Sequence, residues 1–176
     1  MSSTTDIASV FDEHVAAEFA ARDLDATMAT MSDEPYVLHL PPLTGGVGFE
    51  GVRSFYGAHF IGKWPADTQI TPVSRTIGED QVVDELVVSF THDVEMDAIV
   101  PGVPPTGRAV RLPFCVVVKF EDGKVAHEHI YWDQASLLVQ LRLLEPSGLP
   151  VTGAAQADNV VDPRAHPLNE LITGRS

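Results

Sequence analysis

The chain has 176 residues, and 25 acidic against 11 basic side chains give it a formal net charge of −14. This charge repels phosphate backbones, and no cluster of lysine and arginine offsets it, so we exclude DNA and RNA as partners. With 44% apolar and only 20% charged residues, the composition is that of one folded domain and not of a disordered segment.

The N-terminal sequence has no basic segment followed by an apolar one, and no later run approaches the roughly 18 apolar residues of a membrane span. We therefore expect a cytoplasmic protein with no membrane partner. Cys115 is the single cysteine of the chain, and its flanks, LPFCVVVKF, indicate a buried strand and not a reactive thiolate.

The first third of the chain is predicted to be mostly helical. A helix over residues 6–22 has an apolar stripe at spacings of three and four, formed by Ile7, Val10, Phe11, Val15 and Phe19. Asp23 is a suitable N-cap for a second helix, and YVLHL is typical of a short strand. The segment TGGVG is predicted to be a flexible loop before a third helix that carries Val52, Phe55, Tyr56 and Phe60.

From Thr68 onward the pattern changes to β-branched and aromatic runs that are separated by turns. These runs are TQITPVSRTIG, QVVDELVVSFTHDVEM, RAVRLPFCVVVKF and KVAHEHIYWD. We predict that they pair as an antiparallel meander, closed by a helix with Leu137, Leu138, Leu141 and Leu144. The fold class is therefore α+β, with a domain over residues 1–145 and an extended C-terminal tail over residues 146–176.

The segment FEDGKVAHEHIYWDQASLLVQL carries the most specific family signal. It resembles the closing pattern of the SnoaL-like polyketide cyclase branch of the nuclear transport factor 2 (NTF2)-like superfamily: a Gly-Lys turn, a strand ending in Trp-Asp, and a leucine-rich segment. The resemblance covers about residues 6–145. It implies a cone in which a curved antiparallel sheet and about three N-terminal helices enclose a pocket. It also implies a lyase or isomerase that works by general acid/base chemistry without a cofactor.

The candidate site follows from strand parity. If residues 127–133 are extended, His127, His129, Tyr131 and Asp133 share one face, while Glu128, Ile130 and Trp132 share the other. We predict that the ionisable face lines the pocket. The resemblance implies that Asp133 is the acid/base carboxylate. However, Asp133 also directly precedes the last helix, where it would serve as an N-cap, and the two roles shift its pKa in opposite directions.

The other candidates are placed around this carboxylate. The predicted catalytic hydrogen-bond donors are His129, Tyr131 and His92. The His92 side chain points inward if Leu86, Val88 and Phe90 face the core. A structural role for each histidine stays open. Trp132 would form a pocket wall if a bulge inverts the parity. The predicted substrate pocket consists of His39, Tyr56, Phe90, His127 and Trp132.

These residues favour an enzyme that acts on a small hydrophobic carbonyl compound, polyketide-like or a cyclic ketone, by cyclisation, isomerisation or dehydration. The main alternative is a non-catalytic module of the same fold, for ligand binding or dimerisation. Epoxide hydrolysis is less favoured. The limonene epoxide hydrolases of the same superfamily pair an aspartate such as Asp133 with an Arg-x-Asp motif, and the strand at 84–97 lacks this motif. A metal site at His127-x-His129, completed by His92, His39 or Asp133, is a further alternative, although we expect no metal. We also expect a homodimer, which would cover the second face of the sheet.

Overall fold

A computed structural model describes residues 6–174 of the chain. Its helices are α1 (Ile7–Val15), α2 (Leu24–Ala29), α3 (Gly48–Phe55), α4 (Gln134–Gln140), α5 (Ala155–Val161) and α6 (Glu170–Thr173). Two of them continue as π-helical turns, α1 through Ala16–Ala21 and α3 through Tyr56–Phe60. Among the described residues, no helix has the length and apolar character that crossing a membrane requires.

Six strands form one curved, unclosed sheet with the spatial order β2-β1-β6-β5-β4-β3. The strands are β1 (Met31–His39), β2 (Thr44–Val47), β3 (Gln69–Ile77), β4 (Gln81–Thr91), β5 (Ala109–Glu121) and β6 (Lys124–Trp132). Strands β3 to β6 form the predicted antiparallel meander, and β1 runs parallel to β6. The α+β cone that the sequence predicted is confirmed.

The inner face of the sheet is apolar and packs against the helices. Every second residue of β5, from Val110 to Phe114 and again at Val118 and Phe120, is buried, as the period of a strand requires. Helix α1 adds Phe11, and α3 with its π-helical turn adds Val52, Phe55 and Phe60. The apolar stripe that the sequence shows in the first helix therefore faces the sheet and forms the core between the two layers.

Some boundaries differ from the sequence prediction. The segment TGGV forms strand β2 and not a loop, because it pairs with β1 and then leads directly into α3. Gly46 permits this sharp connection, since a Cβ atom there would lie 2.4 Å from the carbonyl oxygen of Gly51. Strand β4 ends at Thr91, whereas the run that predicted this strand continues to Met96. Helix α4 ends at Gln140, so Leu144 lies beyond it.

The segment after Glu145 includes two short helices, where the sequence suggested an extended tail. Helix α5 packs against β5, and the side chain of Ala157 is completely buried there. The Arg111 guanidinium donates to Asp158 at 2.8 Å, and His166 lies 3.0 Å from the other oxygen of the same carboxylate. This part of the C-terminal segment is thus held by packing and by hydrogen bonds.

Candidate active site

The curved sheet and the helices enclose a cavity of about 580 Å³. Most of its wall is apolar and aromatic, with contributions from α1, from the turn after α3 and from strands β3 to β6. The aromatic part of the wall consists of Phe11, Phe19, Tyr56, Phe60, Trp64 and Phe114. Glu18, His39 and Glu128 also line it, and all three side chains are buried. An apolar cavity with a few converging polar groups is the usual form of a small-molecule site.

Two buried glutamates and a buried histidine meet at the inner end of this cavity. His14 and Glu18 lie one helical turn apart on the first helix, and Glu128 projects from β6. The Nε2 atom of His14 lies 2.9 Å from Oε1 of Glu128 and 3.2 Å from Oε1 of Glu18. A single imidazole nitrogen therefore lies within hydrogen-bond distance of two carboxyl groups.

The hydrogen bonds around His14 indicate that its ring carries both protons. Thr30 donates its hydroxyl hydrogen to the carbonyl oxygen of Thr27, so the Thr30 oxygen accepts from Nδ1–H of His14, 2.7 Å away. The other ring nitrogen faces only carboxyl oxygens and the Tyr56 hydroxyl. Because both nitrogens face acceptors, the imidazolium form fits the cluster.

The pKa shifts of the cluster follow from burial and from these contacts. Burial alone would lower the pKa of His14, but the charges of Glu128 and Glu18 outweigh it and raise this pKa to about 10. Burial raises the pKa of Glu18, and its contacts with His14 offset this only in part. For Glu128, the burial effect is outweighed by His14 and by the Tyr56 hydrogen bond, so its pKa is lowered. The two carboxyl groups are thus pushed in opposite directions.

Tyr56 and His39 complete the polar part of the cavity. The Tyr56 hydroxyl donates to Oε1 of Glu128 at 2.9 Å, and burial raises the pKa of this hydroxyl well above its usual value. Burial lowers the pKa of His39 to about 4, so its imidazole is neutral at pH 7. Both residues were predicted to belong to the substrate pocket, and both line the cavity.

The cluster is also the place where a cation would find ligands. Among residues 6–174, the three ligand atoms of His14, Glu18 and Glu128 lie within 4.8 Å of one another, which suits one small divalent ion. The Nε2 atom of His14 already lies within hydrogen-bond distance of both carboxyl oxygens. At the alternative metal site His127-x-His129, the His127 ring stacks on Tyr36 and the His129 ring packs against Tyr36 at a tilt, on the face of the sheet away from the cavity.

The predicted alternation of β6 is present, but the face that was predicted to line the pocket is the wrong one. Glu128 and Ile130 line the cavity, whereas His127, His129 and Tyr131 lie on the opposite face of the sheet. The rings of His127 and His129 lie 4.7 Å apart, and the Tyr131 side chain is exposed. The physical reason is that the apolar Ile130 is buried on the inner face of the strand. Glu128 lies two residues earlier and therefore on the same face. The predicted donors therefore do not reach the cavity.

Asp133 caps helix α4. Its carboxylate accepts hydrogen bonds from the backbone N–H and the hydroxyl of Ser136 and from Gln156 of α5. Burial would raise the pKa of Asp133, but these hydrogen bonds outweigh it and lower the pKa. Asp133 is not among the residues that line the main cavity. Of the two roles that the sequence left open, the structure shows the capping geometry.

We predict that Asp133→Ala lowers the free energy of unfolding by about 2–3 kcal/mol, because the cap of α4 and the hydrogen bonds from the Ser136 hydroxyl and Gln156 are lost together. Urea denaturation would measure this effect. Asp23→Ala is the matched control, since Asp23 caps α2 by the same contact to a backbone N–H three residues later. A loss no larger than that of the control would show that the contacts from the Ser136 hydroxyl and Gln156 add nothing to the cap.

Three further candidates lie in the core beside the cavity. His92 is completely buried, as predicted from its parity, but it contacts Thr106 in the following loop and does not line the cavity. Phe90 packs edge-on against Trp64, whose other neighbours form the cavity wall. Trp132 shares the inner face with Glu128 and packs against His39 and Phe114, so it supports the wall from behind.

Sequence reasoning missed His14, Glu18 and Glu128. One signal for the first two was available, because both stand within the apolar stripe of the first helix, three and seven residues after Phe11. For Glu128 the signal was its alternation with Ile130 and Trp132. Polar residues at positions that periodicity assigns to the core are the ones that need buried partners.

The fold and the cavity define a class of protein: an NTF2-like cone whose apolar cavity adjoins a buried cluster of two glutamates and a histidine. The SnoaL-like domain model matches residues 11–128, so the chain belongs to the SnoaL-like domain family. No characterised protein in the curated set matches the sequence. The resemblance drawn from the closing strand and helix is thereby confirmed at the level of the family.

Solved structures with the same fold are distant in sequence. A protein provisionally assigned as a SnoaL-like polyketide cyclase, from Jannaschia sp. CCS1, has a TM-score of 0.61 at 18% identity, over 81% of this chain and 93% of its own. AclR of Streptomyces galilaeus, provisionally assigned as a hydroxylase, has a TM-score of 0.60 at 25% identity, over 81% and 100%. A protein with a ketosteroid isomerase-like fold from Catenulispora acidiphila has a TM-score of 0.57 at 13% identity, over 77% of this chain and 93% of its own.

Proposed function

We propose that this protein is an acid/base enzyme that moves a proton on a small, largely apolar carbonyl compound. The observation that carries the proposal is the bridge from Glu128 through His14 to Glu18 at the inner end of an apolar cavity. The family and its structural neighbours, which are described as a cyclase and as isomerase-like, support the same kind of chemistry. Fold alone does not carry the proposal, since one fold hosts many activities.

Glu128 is the proposed base. Its carboxylate lines the cavity and stays ionised because His14 and Tyr56 stabilise the charge. In the proposed step, Glu128 takes a proton from the carbon next to the substrate carbonyl, and the electron pair of the broken C–H bond moves to the carbonyl oxygen. The enolate that forms is common to isomerisation, dehydration and cyclisation.

Glu18 is the proposed acid. Its pKa is raised, so it holds a proton more readily than an ordinary glutamate, and it lines the same cavity. It donates this proton to the developing oxyanion, which is otherwise unstable in an apolar enclosure. His14 then passes a proton from Glu128 to Glu18 through the nitrogen that contacts both, and this restores the starting state.

His14 is a positioning residue in this scheme. It stands behind the two carboxyl groups and is not among the residues that line the cavity, so it acts on the substrate only through them. Thr30 fixes the orientation of its ring from the other side. A buried carboxylate without such a partner would take up a proton and lose its basicity at neutral pH.

The experiment that tests the proposal is hydrogen–deuterium exchange at the α-carbon of a panel of cyclic and aryl ketones in D2O, followed by NMR. This readout detects proton abstraction whatever the final product is. We expect exchange with the wild-type protein, and we expect Glu128→Gln to reduce its rate at least about a hundredfold, the usual contribution of a positioned base.

The control is Asp133→Asn, which alters the carboxylate that the sequence favoured and leaves the cavity intact. We expect this variant to exchange at the wild-type rate. Loss of exchange in Asp133→Asn, with normal exchange in Glu128→Gln, would contradict the proposed site. Ketone binding by all three proteins without any exchange would instead support the second candidate, a hydrophobic-ligand-binding module, which the apolar wall of the cavity also favours.

A further inference from the structure

The opening of the cavity differs in character from its inner end. The lining residues near the surface are Asp12 on α1, Ser74 and Arg75 on β3, and Asp84 and Glu85 on β4. The Asp12 side chain is 65% exposed, whereas Glu128 and Tyr56 are buried. This group of five residues, here called the mouth, contains three carboxylates and one guanidinium.

Arg75 is the residue that an anionic ligand would need, and the protein already occupies it. Its Nε and one terminal nitrogen donate to the two oxygens of Asp84, at 2.6 and 2.7 Å. The other terminal nitrogen donates to Asp12 at 2.7 Å, and the guanidinium lies 5.4 Å from the centre of the Phe11 ring. An anion would therefore have to displace a carboxylate of this protein before it could bind Arg75.

The remaining charge at the mouth is negative. Asp12 and Asp84 share the one guanidinium of Arg75, and Glu85 accepts a hydrogen bond from the neutral hydroxyl of Ser74. The whole chain carries a net charge of −14, which adds a long-range potential of the same sign. Elsewhere in the same cavity the wall is apolar, and the rings of Phe19, Phe60 and Trp64 lie within 6 Å of one another in it.

We propose that the mouth selects the charge of the substrate, favouring an apolar carbonyl compound that carries an ammonium group at the end away from the reacting carbon. This inference rests on the proposed function, in which the carbonyl end reaches the buried cluster. The ammonium group then lies among the carboxylates of the mouth, where it keeps part of its hydration and gains their attraction. A carboxylate or sulfonate at the same position meets only like charge and an occupied arginine.

The test compares three acetophenones that differ only in the para substituent: trimethylammonium, the isosteric neutral tert-butyl group, and sulfonate. Their dissociation constants are measured by calorimetry with the full-length protein at about 20 mM and about 500 mM salt. At low salt we expect the cation to bind most tightly and the sulfonate at least about a hundredfold more weakly than the cation. At high salt the difference should shrink to about tenfold or less.

Two variants assign the effect to the mouth. Glu85→Gln should reduce the preference for the cation over the neutral ligand severalfold, whereas Glu95→Gln, with the same change in net charge at an exposed position outside the cavity, should leave it unchanged. Tighter binding of the neutral ligand or of the sulfonate than of the cation at low salt would overturn the inference. In that case the exchange rates of neutral ketones still test the proposed function separately.

Discussion

Replacing His14 by alanine is expected to lower the free energy of unfolding by about 3–5 kcal/mol, the usual cost of removing one partner from a buried ion pair. His14 has no exposed surface, and it is the cation that contacts both Glu18 and Glu128. Without it, two carboxyl groups remain together in an apolar enclosure, and at least one must take up a proton. Urea denaturation at pH 7 would measure the loss.

The matched control for this substitution is His59→Ala. His59 also pairs with an acidic residue, Asp97 at 3.2 Å, but both side chains are about half exposed. Surface pairs of this kind contribute about 1 kcal/mol or less. A cost for His14→Ala no larger than that of the control would contradict a charged cluster.

A double variant sharpens the same test. Glu128→Gln replaces the carboxylate by a neutral amide, which no longer needs a cation beside it. The combination of His14→Ala with Glu128→Gln should therefore cost less than the sum of the two single changes. Simple additivity of the two costs would mean that His14 and Glu128 are not coupled, although their atoms lie 2.9 Å apart.

The second large effect concerns the dependence of stability on alkaline pH. The pKa of His14 is about 10 in the folded protein and has the ordinary value of 6.5 in the unfolded chain. Between these values the folded state keeps a proton that the unfolded state has lost, so rising pH favours unfolding. The contribution of His14 is complete below pH 6.5 and is lost as the pH rises through 10. The slope should reach about 1.4 kcal/mol per pH unit.

The groups that face His14 also titrate, and their pKa shifts determine how much each adds to the dependence of stability on pH. Glu128 has a lowered pKa, so its stabilising contribution is lost only in acid, as the pH falls below its ordinary value of 4.5. Glu18 has a raised pKa, so its effect opposes folding above 4.5. The pKa of Tyr56 is raised above 10, which places its titration beyond the range of interest. Rising pH therefore lowers the stability through both His14 and Glu18, and the comparison with a variant of His14 measures the part that depends on the imidazolium.

Urea denaturation of the wild-type protein and of His14→Gln between about pH 7 and pH 9.5 would measure the contribution. We expect the wild-type stability to fall more steeply than that of the variant. NMR of the His14 ring should show an imidazolium that persists above pH 8. Parallel stability curves for the two proteins, or a ring that titrates near 6.5, would show that the cluster does not hold the charge.

The amino-acid sequence by itself determined the layers of the fold. The apolar spacing from Ile7 to Phe19 predicts the first helix, and the alternating runs from Thr68 onward predict the meander; both are present. The closing segment around Trp132 also indicated the family correctly. These features depend on local periodicity, which can be read from a short segment of the sequence without knowing the rest of the fold.

Only the tertiary structure decided which residues form the candidate site. A strand has two faces, and parity alone does not state which of them the helices cover; the apolar neighbours of Glu128 on its face, Ile130 and Trp132, were a local sign but not a proof. The choice depends on His14 and Glu18, which belong to the first helix and reach Glu128 only after the sheet has curved around them. The role of Asp133 was decided in the same way, by Ser136 and by Gln156 from the C-terminal segment. A buried charge depends on the partner that the fold brings to it, and that partner can lie anywhere in the chain.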